Sequence, residues 1–249
     1  MAHEARLLVL LAAAVLAGAQ NALAGGGSFI TFPALLLAGL DARAANITST
    51  VALLPGQAAS GWAGRRYVSG AERLSFRALA AVSLAGGGLG ALLLLATPAS
   101  FFARLVPWLV LFATAVFAWG SFARRPAAGA RLGRGGAAAA QFLIAVYGGY
   151  FGGGIGFLML AALTMAGLRV REAGATKNAL AGVMNLTAVL VFLFSASVRW
   201  LEAAVVAVGA LGGGLLGAWA LRRVPERPLR IGIVAVGVLL TVGLFLRRP

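Results

Sequence analysis

The segments AGGGSFI at 24–30 and GGGIGFL at 152–158 decide the fold of this chain. Aligned without gaps at an offset of 128 residues, they superimpose Gly25, Gly26 and Phe29 on Gly153, Gly154 and Phe157. Self-similarity at a fixed offset is the signature of a repeated fold. The sequence therefore predicts two halves with the same succession of elements.

The same offset continues well beyond the glycines. It pairs Gly39-Leu40 with Gly167-Leu168, Arg43 with Arg171, Ala45 with Ala173, Thr48 with Thr176, Thr50 with Asn178 and Gln57 with Asn185. At an offset of 126, LAGGGL at 84–89 recurs as ALGGGL at 210–215. An ordered set of this length is not a chance product of a sequence rich in glycine and alanine.

The composition is that of a protein whose main solvent is lipid. Of 249 residues, 61% are apolar and only 11% are charged, which leaves too little polar surface for a soluble domain of this size. A membrane-spanning helix needs about 20 apolar residues. Stretches that approach or meet this length lie at 7–24, 46–64, 78–96, 105–122, 175–194, 201–221 and 229–246.

The formal charge of +15 raises the question of nucleic acid. The basic residues lie in short loops between apolar spans, however, where the cytoplasmic enrichment of Lys and Arg explains them, so we expect no nucleic-acid partner. The absence of Cys excludes disulfides, thiolate metal sites and thiol-redox relays. With a single terminal histidine, His3, we expect neither a metal site nor a haem or other cofactor.

The first apolar stretch has two interpretations. Arg6, the apolar run 7–17 and the triplet Ala22-Leu23-Ala24 resemble a signal peptide with a small-residue cleavage site. Residues 7–24 correspond, however, to the internal segment 137–151 of the second half. We therefore expect the stretch to be a retained part of the repeated fold.

Each half opens with two apolar pieces on either side of a glycine cluster. The second pieces, 28–40 and 155–168, are 13 and 14 residues long and reach only about 20 Å, less than the ~30 Å hydrocarbon core. The sequence predicts an all-α polytopic membrane protein, each half consisting of a Gly-broken re-entrant helix pair followed by three transmembrane helices. The predicted units are residues 1–123, a basic cytoplasmic linker at 124–136, and residues 137–249.

The distribution of arginines tests the relative orientation of the halves. If the opening pair crosses the membrane an even number of times, each half crosses it an odd number of times and the halves are inverted repeats. With the loop at 65–77 in the cytoplasm, 6 arginines then lie outside and 14 lie inside: Arg65, Arg66, Arg73, Arg77, Arg124, Arg125, Arg131, Arg134, Arg169, Arg171, Arg222, Arg223, Arg227 and Arg230. The alternative of parallel halves gives 12 inside and 8 outside. The positive-inside rule favours inverted repeats.

A glycine-rich break at membrane depth is tolerated only where it is buried in protein or lines a cavity. Broken helices in inverted repeats are a recurrent transporter plan. The helices that follow the breaks start near Ser28 and Ile155, and their free N–H groups and positive dipole ends bind anions. The alternative is that the glycines only allow close helix packing, which we expect for Gly86–Gly88 and Gly212–Gly214.

The spans that follow the breaks carry polar stripes. Asn46, Thr50 and Gln57 lie on one helical face, as do the aligned Asn178 and Asn185 with Lys177 nearby. Such stripes are costly in lipid, so we expect them to face a shared cavity. Two alternatives remain: Lys177 snorkels to the cytoplasmic surface, and the amides serve only as interhelical hydrogen-bond partners.

No acidic residue lies in the middle of a predicted span, so the residues do not support a carboxylate proton relay. An interior-negative potential drives an anion outward by about 2.3 kcal/mol per charge per 100 mV. Outward facilitated movement is therefore the least demanding mechanism, and uptake needs a cotransported cation.

The chain resembles the sulfite exporter TauE/SafE family of bacterial membrane permeases in the motifs GGGSFITFP at 25–33, Gly39-Leu40, 45–50, FGGGIGF at 151–157, AGATKN at 173–178 and Asn185. The resemblance covers nearly the whole chain. It implies movement of sulfite, thiosulfate, sulfonates or other small organic anions across the bacterial inner membrane, linked to a coupling proton.

We therefore expect a permease or exporter of small anions, with a non-transporting membrane assembly partner as the alternative. A membrane enzyme acting on lipids would need clustered acids or a nucleophile with a base, which the sequence does not supply. The predicted substrate-binding residues are Gly25, Gly26, Gly27, Ser28, Asn46, Thr50, Gln57, Gly152, Gly153, Gly154, Lys177, Asn178 and Asn185.

Overall fold

A computed structural model describes residues 2–23, 26–71, 73–122, 132–220 and 226–246 of the chain. Within these ranges the protein is helical, with ten α-helices and a 3-10 turn at Arg65–Tyr67. The helices are α1 (Ala2–Leu23), α2 (Ser28–Leu37), α3 (Ala42–Ala63), α4 (Phe76–Ala96), α5 (Ala99–Phe122), α6 (Arg134–Tyr150), α7 (Ile155–Met165), α8 (Val170–Phe192), α9 (Trp200–Ala220) and α10 (Glu226–Leu246).

Several helices suit a lipid environment. Among the described residues, four helices contain stretches long and apolar enough to cross a membrane: Glu4–Asn21, Phe76–Ala96, Ala99–Phe122 and Arg171–Phe192. Large apolar side chains such as Phe194, Leu215 and Leu239 are exposed on the outside of the molecule, where water would penalise them. The predicted all-α polytopic membrane class is confirmed at this level.

The two halves share one order of elements. Each begins with a long helix and a short helix, α1–α2 and α6–α7, and continues with three further long helices. The short helices end alike, because Gly39 and Gly167 adopt φ angles of 88° and 89° that terminate a helix without steric strain. The breaks predicted after α1 and α6 are therefore present as helix ends.

The halves are interlocked and do not form two separate bodies. Helix α1 packs on α9 as α6 packs on α4, and α3 packs on α9 as α8 packs on α4. The Thr48 hydroxyl oxygen accepts a 3.2 Å hydrogen bond from the Arg199 N–H, and the equivalent Thr176 accepts a 3.0 Å bond from the Ser69 N–H. Each threonine thus secures a loop of the other half.

Helices α3 and α8, at equivalent positions in the two halves, cross each other in close contact. A Cβ atom placed on Gly61 would lie 3.3 Å from the Ala179 Cα atom, and one on Gly64 would lie 3.4 Å from the Ala175 Cβ atom. Small residues therefore permit the close approach. Because a later residue of α3 contacts an earlier residue of α8, the two helices run antiparallel.

The three-part division into 1–123, 124–136 and 137–249 remains a prediction. Residues 124–131 of the predicted linker lie outside the described residues, and α6 begins at Arg134, before the predicted start of the second half at residue 137.

Candidate functional site

Both breaks depend on glycine backbone conformations. Gly26 adopts a φ of 86°, and Gly152 and Gly154 adopt 80° and 76°. These left-handed conformations strain residues that carry a Cβ atom. The predicted site residue Gly25 lies outside the described residues.

A central cavity of about 490 Å³, which includes space open to solvent, lies between the two breaks and the α3–α8 crossing. It brings together seven of the predicted site residues: Gly26, Gly27, Ser28, Gln57, Gly152, Lys177 and Asn178. The polar stripes on α3 and α8 therefore meet the starts of both short helices in one place.

Two polar lining residues, Asn21 and Ser60, were missed from the sequence. Ser60 lies one turn beyond Gln57 on the same helical face, so an extension of the polar stripe would have included it. Asn21 is a polar residue near the end of an apolar helix, just before the glycine cluster. The same argument from polarity in lipid would have singled it out.

Lys177 lies two turns into α8 and is only 9% exposed. Its side chain lines the central cavity. Within the part of the chain that the structure describes, the ion pairs are Arg6–Glu202 and Arg169–Glu172, and Lys177 belongs to neither. The cavity therefore contains a buried cation without an acidic partner, an arrangement that attracts an anion.

Asn185 does not line the cavity but is bonded to a residue that does. Its Nδ2 atom donates a 2.5 Å hydrogen bond to Oε1 of Gln57. The two residues are equivalent in the repeat, so this bond joins matching positions of α3 and α8. The side-chain oxygen of Asn185, Oδ1, is buried without a hydrogen-bond partner in the described structure.

The remaining predicted residues lie outside the central cavity. Asn46 and Gly153 line a second cavity, described below, and Asn46 Nδ2 donates a 3.0 Å hydrogen bond to the Tyr150 carbonyl at the end of α6. The Thr50 hydroxyl donates to the Asn46 carbonyl at 2.9 Å. A Cβ atom on Gly154 would lie 3.2 Å from the Ala113 carbonyl oxygen. Thr50 and Gly154 line neither cavity.

The second cavity, about 280 Å³ including open space, lies on the far side of the first break. Its walls are mainly apolar, with Phe29, Phe32, Phe151 and Leu240 prominent. The Phe32 and Phe151 rings pack edge to face with centroids 5.6 Å apart. No charged side chain is found among the described residues that line it.

The first short helix is fixed to α3 by a hydroxyl pair that sequence reasoning also missed. Thr31 and Ser49, both buried, lie 2.6 Å apart through their Oγ atoms. Ser49 is the repeat equivalent of Lys177, so the same helix position holds α2 in one half and lines the cavity in the other. Among the described residues no group of three His, Cys, Asp or Glu could hold a metal ion.

Comparison with known proteins identifies relatives over almost the whole chain. The sequence model of the family described as "Sulfite exporter TauE/SafE" matches residues 10–244. The chain is 33% identical to "Probable membrane transporter protein ORF9" of Sinorhizobium sp over 220 residues, which cover 85% of this chain and 81% of that relative.

Two further relatives have the same character. "Probable membrane transporter protein" of Haemophilus influenzae is 28% identical over 94% of this chain and 92% of its own length. "Probable membrane transporter protein YfcA" of Escherichia coli is 27% identical over 95% of this chain and 88% of its own length. No solved structure gives a significant match.

Proposed function

We propose that this chain, which belongs to the sulfite exporter TauE/SafE family and is a multi-pass membrane transporter, moves small anions through the central cavity. The proposed substrates are in particular sulfur-containing oxyanions or organosulfonates. The observation that carries the proposal is the buried Lys177 side chain, which lines this cavity without an acidic partner in the described structure. An anion supplies the missing charge.

The surroundings of Lys177 support an anion over a neutral solute. The cavity is lined by the starts of two helices at Ser28 and Ile155, where the helix dipoles favour negative charge. Gln57 and Asn178 supply neutral hydrogen-bond donors. In the proposed complex, Lys177 contributes the charge, while the helix ends and amides orient the oxygens of the anion.

The proposed architecture is a pair of inverted repeats, with each opening helix pair re-entrant. The antiparallel contact of the equivalent helices α3 and α8 supports this arrangement, as does the arginine distribution. The proposed location is the bacterial inner membrane. There the membrane potential drives an anion outward, and a coupling proton is the proposed source of energy for any uphill step.

The test is flux through proteoliposomes that contain the purified protein. Sulfite, thiosulfate, methanesulfonate and acetate are offered singly, with and without an imposed pH gradient and membrane potential. We expect flux of at least one sulfur-containing anion well above that of protein-free vesicles, and a change in its rate when the pH gradient is imposed.

Two glycine variants distinguish flux through the protein from leakage through the vesicle bilayer. A Cβ atom on Gly153 would lie 2.8 Å from the Phe151 ring, so Gly153→Leu should obstruct the second break and reduce flux at least 10-fold. A Cβ atom on Gly56 would have no neighbour within 4 Å, so Gly56→Leu should transport almost normally. Absence of anion flux across the whole panel would contradict the proposal and favour a non-transporting role.

A further inference from the structure

The two cavities meet at the helix breaks themselves. Ser28, the first residue of α2, lines both of them. At the other break, Gly152 lines the central cavity and its neighbour Gly153 lines the second. Among the described residues, the start of α2 and the glycine backbone between α6 and α7 therefore border both spaces.

The cavities are also displaced along the helices. On α3 the central cavity is lined by Gln57 and the second by Asn46. These positions are 11 residues apart, about 16 Å along the helix axis at 1.5 Å per residue. This is about half the ~30 Å thickness of a hydrocarbon core, so one space extends toward each end of α3.

The two spaces differ in the charge and polarity of their walls. The central cavity has Lys177 and several amides and hydroxyls, whereas the second has Asn46 and Ser28 among apolar walls. Among the described residues that line the second space, an anion that leaves Lys177 thus meets neutral groups only, which can accommodate it without holding it. Weak binding on the exit side is what conduction requires.

We infer that the two cavities are the two ends of one permeation path, and that its neck is formed by Ser28 together with the backbone of Gly152 and Gly153. The inference rests on the proposed transport function. It adds to that function an apolar second segment, on the side of the breaks away from Lys177, and a residue, Ser28, that every transported anion must pass.

The absence of cysteine from this chain gives a direct test, because each introduced thiol is the only one present. Ser60→Cys reports on the central cavity, Leu240→Cys on the second cavity and Ser28→Cys on the neck. Each variant is treated with the membrane-impermeant reagent MTSET, in right-side-out vesicles and in inside-out vesicles.

We expect Ser60→Cys and Leu240→Cys to react at least 10-fold faster from opposite sides of the membrane. Ser28→Cys should react from both sides. Ala45→Cys is the matched control, since Ala45 adjoins Asn46 on α3 but is fully buried and lines neither cavity. It should react from neither side.

The inference is overturned if Ser60→Cys and Leu240→Cys react from the same side. It is also overturned if Leu240→Cys reacts with the lipid-soluble N-ethylmaleimide but from neither side with MTSET, because the second cavity would then be a gap facing lipid. Pro33→Cys, on another wall of that cavity, replaces Leu240→Cys should the latter not fold. Labelling does not depend on flux, so a failed path and a failed transport function give different results.

Discussion

Equivalent positions of the two halves carry different side chains at the proposed binding site. Ser49 and Lys177 are repeat equivalents, yet Ser49 bonds to Thr31 while Lys177 lines the central cavity. Gln57 and Asn185 are also equivalents, and these two bond to each other. Because of the first difference, the one charged side chain among the described lining residues of the central cavity, Lys177, belongs to the second half. The second pair joins the two halves where α3 and α8 cross.

Replacement of Lys177 tests its contribution to anion binding. Lys177→Met keeps the apolar stem and removes the charge, so we expect anion transport efficiency to fall by about 10- to 100-fold, equivalent to ~1.5–3 kcal/mol for a charge-assisted hydrogen bond. Lys177→Arg should retain most of the activity because it keeps the charge. The measurement is concentration-dependent flux in proteoliposomes at matched protein content.

Asn185→Ala provides a comparison, because it removes a neutral donor from outside the cavity and should have a smaller effect than Lys177→Met. If Lys177→Met transports as well as the unaltered protein, the anion site must be assigned to the helix starts and amides alone.

At the scale of elements, the short helices α2 and α7 are what make the breaks. With 10 and 11 residues, they extend about 15 and 17 Å, too little to cross a bilayer. Their rings converge on one residue of α5, since Phe29 and its repeat equivalent Phe157 both pack edge-on against Phe117. Helix α5 thus holds both short helices beside the central cavity.

The packing of long helices depends on particular glycines within each cluster. A Cβ atom on Gly213 would overlap the Val15 carbonyl oxygen of α1, while one on the adjacent Gly212 would meet nothing within 4 Å. We expect Gly213→Ala to destabilise the protein by about 1–3 kcal/mol through overpacking. Gly212→Ala should have an effect within about 0.5 kcal/mol.

Thermal unfolding of both variants in the same detergent measures the difference. A Gly213→Ala protein with the same Tm as Gly212→Ala would show that α1 and α9 do not approach as closely as the structure has them.

At the scale of the whole molecule, the antiparallel crossing of α3 and α8 predicts that equivalent loops lie on opposite sides of the membrane. The α3–α4 loop contains the exposed Arg66, and the equivalent α8–α9 loop contains the exposed Ala196. With inverted repeats, Arg66→Cys should react with MTSET from the cytoplasmic side and Ala196→Cys from the outside. Side-specific labelling of intact cells and inverted vesicles is the measurement.

Ser100→Cys, at the exposed start of α5, is the control for this experiment and should react on the same side as Ala196→Cys. Reaction of Arg66→Cys and Ala196→Cys from one common side would instead establish parallel halves.

Much of the fold could be read from local sequence. Apolar length predicted the long helices, the glycine clusters predicted the ends of α1 and α6, and the offset of 128 predicted that the halves share one order of elements. The helix lengths and the breaks depend on residues close together in the chain, since helix length, glycine conformation and hydrophobicity are local properties. The repeat could be recognised because the same local patterns recur in both halves. The family was also recognisable from the same motifs.

The partners of the polar residues were decided only by tertiary structure. Helical periodicity placed Asn46, Thr50 and Gln57 on one face, yet Asn46 bonds to Tyr150, Thr50 bonds within its own helix and Gln57 bonds to Asn185. Periodicity fixes the direction in which a side chain points from the axis of its helix, whereas the hydrogen-bond partner of that side chain depends on where another helix crosses. That crossing is set by close packing between residues more than 100 positions apart, which no local pattern records.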